Sequence, residues 1–424
     1  MKTLSKLRFI LLLVLCAVGG KGWAEGETPN SINEYFTNFP KGNNAVSTTY
    51  KGWTYGYAEY LPQLPGLRVD EGTLQSPKIA VNGNAEVSFM YANANKTNKD
   101  LKFTLTIKDG DKIIYTKTSG IVTIDYTSTE RPIEKVTFYC VSSDVTIEIS
   151  KTGSNGLFLL YVKVDPKLPV DLALEESEQN ASILSANASL LANVTVGRTF
   201  PANTWCTLCL PFDVTTAMVR EACNQTEDPK LRVFSSVEDQ TLKFTAPSNG
   251  TVSAGTPFLL NLATAVTSSP VFSNVTISKT DNDVTPAATV TCSDCSFTGT
   301  YSPKEIDTNE TTADLFLNSS GQFCRPTTEG SKILAGLRAY ITVPVSVASG
   351  ARMKLSIEND DMATGIETLT LSPSHDGTLY TPGIGVNSTA TVYTLTGHTA
   401  AKRAAKGINI VRSQDGRVRK TVTK

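Results

Sequence analysis

Strict alternation of apolar and polar residues is the feature that most limits what this chain can become. Ala85–Tyr91 (AEVSFMY) and Leu101–Ile107 (LKFTLTI) both alternate with a period of two. That period places every second side chain on one face of a β-strand, and an α-helix cannot bury such a pattern. Asp109-Gly110 follows the second run, and Lys112–Thr116 returns after it. Gly tolerates the positive φ of a tight turn, so the segment predicts a hairpin. Further strands are expected at Ile121–Tyr126, Lys135–Val141, Val145–Ile149 and Leu157–Val164. Thr, Val, Ser and Asn are abundant throughout, which predicts an all-β protein. Its expected architecture is two tandem β-sandwich, jelly-roll-like domains followed by a small C-terminal β-module.

The first 24 residues read as an export leader. Lys2, Lys6 and Arg8 precede the apolar run Phe9–Val18, and Gly22-Trp23-Ala24 offers small residues for cleavage after Ala24. The run is too short to span a bilayer, which takes about 20 residues. Leu15 before Cys16 argues against a lipidated cysteine, because that position calls for a small side chain. No later segment is apolar enough to be a transmembrane helix. The expected location is therefore secreted or on the outer cell surface.

Loss of that leader removes four basic residues and takes the net charge from −1 to −5. The segment from His398 to Lys424 carries eight Lys and Arg against Asp415 alone, so the tail is +7 and the remainder −12. Such a tail suits contact with an export machine or an acidic surface. It equally suits a strand edge that repels aggregation. The folded body lacks basic–aromatic interleaving, so nucleic acid is not an expected partner.

The expected domains are 25–165, a connector at 166–180 (PKLPVDLALEESEQN), 181–358, and a basic module at 359–424. Within 181–358, Thr215–Cys223 is the one short helix expected. Residues 193–213, NVTVGRTFPANTWCTLCLPFD, form the densest apolar stretch of that domain.

Candidate chemistry is sparse. Cys206-x-x-Cys209 and Cys292-x-x-Cys295 could together offer four thiolates to zinc. In a strand, residues three apart point to opposite faces, and an exported chain tends to pair its cysteines as disulfides. No metal and no cofactor is expected. Seven cysteines remain beyond the leader, an odd number, so at least one stays free or pairs outside the chain. Only His375 and His398 are present, which removes histidine-based nucleophilic and zinc hydrolysis from both β-domains. Carboxylate-pair glycoside hydrolysis needs no histidine. Glu59, Asp70, Glu71, Asp125 and Glu238 are available, but no spacing pairs them. No catalytic residue is assigned.

Trp53-Thr-Tyr55-Gly-Tyr57 is the most suggestive binding element. A period of two would put Trp53, Tyr55 and Tyr57 on one face, where sugar C–H surfaces can stack. The same row would also serve as sandwich core. Gly56 leaves one side of the strand bare for close approach by something else.

Three segments resemble known modules. LRVDEGTLQSPKIAVNGNAEVSFMYA (67–92) with NGLFLLYVKV (155–164) resembles the galactose-binding-like jelly rolls of secreted Bacteroidetes proteins and adhesins. Arg198, Trp205–Asp213, AGTPFLL (254–260), FTGTY (297–301) and LRAYITVP (337–344) resemble a second module of such surface proteins. Residues 392–424 resemble the C-terminal β-module of type IX secretion cargo, with Asn409 where an aromatic is usual. The resemblance implies a non-catalytic binding protein whose partner is a glycan or cell-surface component. A structural or assembly protein of the surface is the alternative, and a glycoside hydrolase stands behind both.

Overall fold

A computed structural model describes residues 28–42, 47–61, 66–96, 100–238, 241–280, 283–306, 309, 311–318, 323–324, 332–345 and 354–358. It also describes the strand segments 367–368, 391–394, 407–412 and 418–423. The leader, Cys16, His375 and His398 lie outside the described residues.

The first region holds β1 (Ile32–Glu34), β2 (Thr48–Tyr50), β3 (Trp53–Tyr55), β4 (Ala58–Tyr60), β5 (Leu67–Val69) and β6 (Thr73–Gln75). It continues with β7 (Ile79–Asn93), β8 (Lys102–Asp109), β9 (Lys112–Thr118), β10 (Ile133–Thr152) and β11 (Leu157–Lys167). One hydrogen-bonded path runs β2-β3-β6-β10-β7-β11-β5-β4, with β1 on β11, β8 on β10 and β9 on β8. The hairpin expected at Asp109-Gly110 is β8–β9, and Gly110 takes φ +56°.

Two expected strands, Lys135–Val141 and Val145–Ile149, are halves of the 20-residue β10. Residues 133–142 pair with β7, and residues 145–152 pair with β8. Between Ser142 and Val145 the register shifts. Val136, Phe138 and Cys140 are buried before the shift, and Val145, Ile147 and Ile149 after it. An extra residue moves the buried set from even to odd positions, so both halves face one core although they pair with different strands. All six belong to the same cluster, which includes Trp53, Phe89, Phe103 and Leu159. The strand expected at Ile121–Tyr126 is absent. Its residues make one isolated bridge, Asn93 to Asp125, and Ile121 and Ile124 are exposed.

The second region starts within the connector. Val170–Glu175 of the connector forms β12, parallel to β13 (Leu191–Gly197), and Leu172 and Leu174 enter the second core. The Asn84 side chain ties the regions together: it donates to the carbonyls of Leu168 and Leu191 and accepts from the Leu191 amide. Helix α1 (Ala181–Ala186) was not expected from the pattern, whereas α2 (Thr216–Ala222) is the expected helix, capped by the Thr215 hydroxyl.

Two further sheets enclose a third cluster. Phe234, Phe244 and Leu259 of the six-stranded sheet meet Phe297, Leu315 and Ile341 of the five-stranded sheet. Each inner face alternates with an outer one, as a sandwich requires. Strand 354–357 pairs with 241–245 and with 367–368, so pairing extends beyond the expected boundary at 358.

By backbone proximity the chain divides into Met1–His375 and Asp376–Lys424. The second unit carries a three-stranded antiparallel sheet, Thr391–Thr394, Gly407–Arg412 and Val418–Thr423. Among the described residues no helix is long and apolar enough to cross a membrane.

The dense stretch at 193–213 is anchored by Arg198, which is buried. Its Nη1 donates to the carbonyls of Thr207 (2.5 Å) and Leu337 (3.2 Å). Glu176 stands 4.0 Å from Arg198 Nε and accepts from Arg338 Nη2 at 2.5 Å. One carboxylate thus compensates two guanidiniums that are largely withdrawn from water. Removing one partner from such a buried group costs about 3–5 kcal/mol. Glu176→Ala is therefore expected to lower the melting temperature by about 10 °C in a thermal unfolding scan. A shift under about 2 °C would show that the cluster does not hold the region together.

Candidate functional site

The aromatic row at 53–57 is divided by the fold. β3 ends at Tyr55, so strand alternation does not reach Tyr57. Trp53 is 2% exposed, and its ring meets Phe36 edge to face at 5.3 Å. Tyr55 is 1% exposed, packs on Phe39 and donates its hydroxyl to the Pro40 carbonyl at 2.9 Å. Burial raises the Tyr55 pKa, which keeps that hydroxyl a donor. Both rings stand in the core, so neither offers a face to a ligand from outside. Of the three residues expected on one face, only Tyr57 is half-buried at the surface.

What approaches Gly56 is the chain itself. A Cβ at Gly56 would lie 3.0 Å from the Glu71 carbonyl oxygen, and one at Gly42 would collide with the Gly56 carbonyl. The backbone turns there, and the Asp70 and Glu71 amides both donate to the Tyr57 carbonyl, at 2.9 and 3.2 Å.

Around Tyr57 the fold gathers charge. Lys41 Nζ stands 5.1 Å from the Tyr57 ring centroid and 3.8 Å from Glu59. Its pKa is raised, first by the hydrogen bond with Tyr57 and then by the charge of Glu59. Arg68 Nη2 reaches Glu59 at 3.5 Å, and Arg68 Nε donates to Asp70 at 2.8 Å. β4 and β5 position these groups, because Glu59 and Arg68 are cross-strand partners. The result is one aromatic ring, two cations and two carboxylates, all partly exposed. This combination can stack on an apolar ring face and hydrogen-bond the hydroxyls around it.

Sequence spacing left the carboxylates unpaired, yet the structure brings Glu59 and Asp70 together on Arg68. Each is held there as an ion-pair partner. Glu238 is tied to Lys243, whose hydrogen bond holds its pKa low, and Asp125 accepts from Thr127. Lys41 carried no signal in the sequence, since it lies sixteen residues from the ring it covers. Arg68 and Asp70 lie two apart, a spacing that puts both on one face of an extended segment.

The two Cys-x-x-Cys pairs sit apart. Cys206 and Cys209 pack against one apolar cluster, Cys292 and Cys295 against another. Cys140, Cys206, Cys209, Cys223, Cys292 and Cys295 are free thiols. Alternation was expected to put Cys206 and Cys209 on opposite faces. β14 (Cys206–Leu208) ends before Cys209, so alternation no longer governs it. The Cys209 thiol donates to the Gly255 carbonyl at 3.2 Å and packs on Gly299. Burial pushes the Cys209 pKa up, and that of Cys223 up to about 12. Both stay protonated and unreactive, which suits a packing role.

No family model matches the chain, and no curated protein matches it. Solved structures do. A carbohydrate-binding module described as BiXyn10A CBM1 matches at 10% identity over 33% of this chain and 100% of its own, with a TM-score of 0.23. The K1 cleaved adhesin domain of Lys-gingipain from Porphyromonas gingivalis W83 matches at 10% identity over 32% of this chain and 99% of that domain, TM-score 0.23. The CBM22-1 xylan-binding domain of Paenibacillus barcinonensis Xyn10C gives 13% identity, 33% and 96% coverage, and a TM-score of 0.22.

Truncating a buried indole leaves a cavity and costs about 3–5 kcal/mol. Trp53→Ala is therefore expected to destabilise the first region strongly, read as a lowered denaturant midpoint. An unchanged midpoint would return Trp53 to the candidate ligand surface.

Proposed function

We propose that this chain is a secreted, surface-associated, non-catalytic binding protein, adhesin-like, whose partner is a glycan. The observation that carries the proposal is the cluster of Tyr57, Lys41, Glu59, Arg68 and Asp70. Tyr57 supplies the stacking face, and the Arg68-linked carboxylates accept hydrogen bonds from sugar hydroxyls. Trp53 and Tyr55 act as positioning residues, because they fix the backbone from which Tyr57 projects. Binding needs no proton transfer, and the ion-paired carboxylates suit recognition better than acid catalysis.

A second reading is that the chain is a structural or assembly protein of the cell surface. The strongly basic tail, which lies in the separate unit 376–424, favours it. In that reading the tail meets an export machine or an acidic surface, and deleting residues 364–424 abolishes outer-membrane fractionation.

Tyr57→Ala tests the first reading. On a glycan array the variant is expected to lose binding by at least about tenfold, equivalent to about 1.4 kcal/mol. Its melting temperature should stay that of the wild type. Full retention of binding would overturn the assignment of Tyr57.

A further inference from the structure

The outward face of the β1-β11-β7-β10 layer carries a second pattern. Register places Tyr161 opposite Met90, and Met90 opposite Ile133. It also places Asn33 opposite Lys163, Lys163 opposite Ser88, and Ser88 opposite Lys135. The intervening residues Val162, Val164, Val87, Phe89 and Val136 fill the core, so these two rows point away from it.

The first row is apolar and aromatic. Tyr35, just past β1, extends it: its ring lies 5.9 Å from that of Tyr161. Tyr35 is 48% exposed and Ile133 46%. From Tyr161 to Ile133 the row crosses two strand spacings, about 10 Å. The adjacent row is cationic. Lys163 Nζ sits 5.3 Å from the Tyr35 centroid and 5.0 Å from that of Tyr161. Its hydrogen bond with Tyr35 raises its pKa, so it is a cation throughout the neutral range. Beyond the lysines the face turns acidic, with Asp165 opposite Glu86, and Lys167 pairs with Glu86 at 3.2 Å. A ligand on this face therefore has one cationic lane, bounded by an apolar lane on one side and carboxylates on the other.

We propose that this face binds an extended carboxylate-bearing polysaccharide, a polyuronate, lying across the strands. Its sugar faces would rest on Tyr35, Tyr161, Met90 and Ile133, and its carboxylates would meet Lys163 and Lys135. Two outward lysines beside an aromatic row give an anionic sugar chain a surface of complementary charge. The proposal rests on the glycan-binding reading above but concerns a different surface from Tyr57.

Isothermal titration of the full secreted chain with polygalacturonate oligomers tests it, alongside a neutral galactan and dextran sulfate. Polygalacturonate is expected to bind, and to weaken as salt rises from about 0.05 to about 0.5 M. Lys135→Ala/Lys163→Ala and Tyr161→Ala should each weaken it at least about tenfold. Should Tyr161→Ala fail to fold, the double lysine variant decides, since both its sites point outward. Undiminished affinity in that variant overturns the inference. So does dextran sulfate or galactan binding as well as polygalacturonate. If neutral glycan binds through Tyr57 and polygalacturonate does not bind, this inference falls and the proposed function stands. If no glycan binds at all, both fall.

Discussion

One strand holds the first sandwich together. β10 runs for 20 residues, pairs with β7 in its first half and with β8 in its second, and changes register between. Without that shift, period-two alternation would turn Val145, Ile147 and Ile149 out to solvent. Burying those three side chains is worth roughly 2 kcal/mol each, which no single surface contact in this region approaches. The bulge also decides what the outside looks like. Because Val136 and Phe138 point in, Ile133 and Lys135 must point out, beside Met90 and Ser88 of β7. The aromatic and cationic rows of the outer face are thus the other half of the core pattern.

The second region depends on a different constraint. Motif fragments at 198, 205–213, 254–260, 297–301 and 337–344 are scattered along the sequence and meet in space. Arg198 binds the carbonyls of Thr207 and Leu337, the Gly255 amide donates to the Leu210 carbonyl, and Cys209 sits between Gly255 and Gly299. Gly255 takes φ +78°, and a side chain there would strike the Pro286 carbonyl. These residues therefore serve closure of the fold. Their density in the chain reflects packing, and the sulfurs are part of that packing.

Alternation made most strands legible, along with the hairpin at Asp109-Gly110, and the helix at 216–222 was expected whereas that at 181–186 was not. It failed where no local pattern carries the information. Ile121–Tyr126 reads as a strand, yet its backbone makes only scattered bonds, to Leu101 and Asn93, and no continuous ladder. Residues 166–180 look like a connector because of Pro166, Pro169 and the glutamates, yet Leu172 and Leu174 alternate into a core that lies elsewhere in the sequence. The aromatic row failed for a reason of length. A three-residue strand cannot carry alternation to a fifth position, so Trp53 and Tyr55 went inward and Tyr57 stayed at the rim. The partners of Tyr57 come from β4, β5 and the segment before β2, and only tertiary structure assembles them.

This chain offers its surroundings a mixed-charge cluster at Tyr57, while Trp53 and Tyr55 are committed to the core. Recognition by such a surface should change backbone protection only where ligand touches. Hydrogen exchange of the full chain, measured with and without saturating glycan, tests this most directly. Protection is expected at the amides of residues 57–71, with residues 206–209 unaffected. Protection confined to the second sandwich, with 57–71 unchanged, would contradict the account.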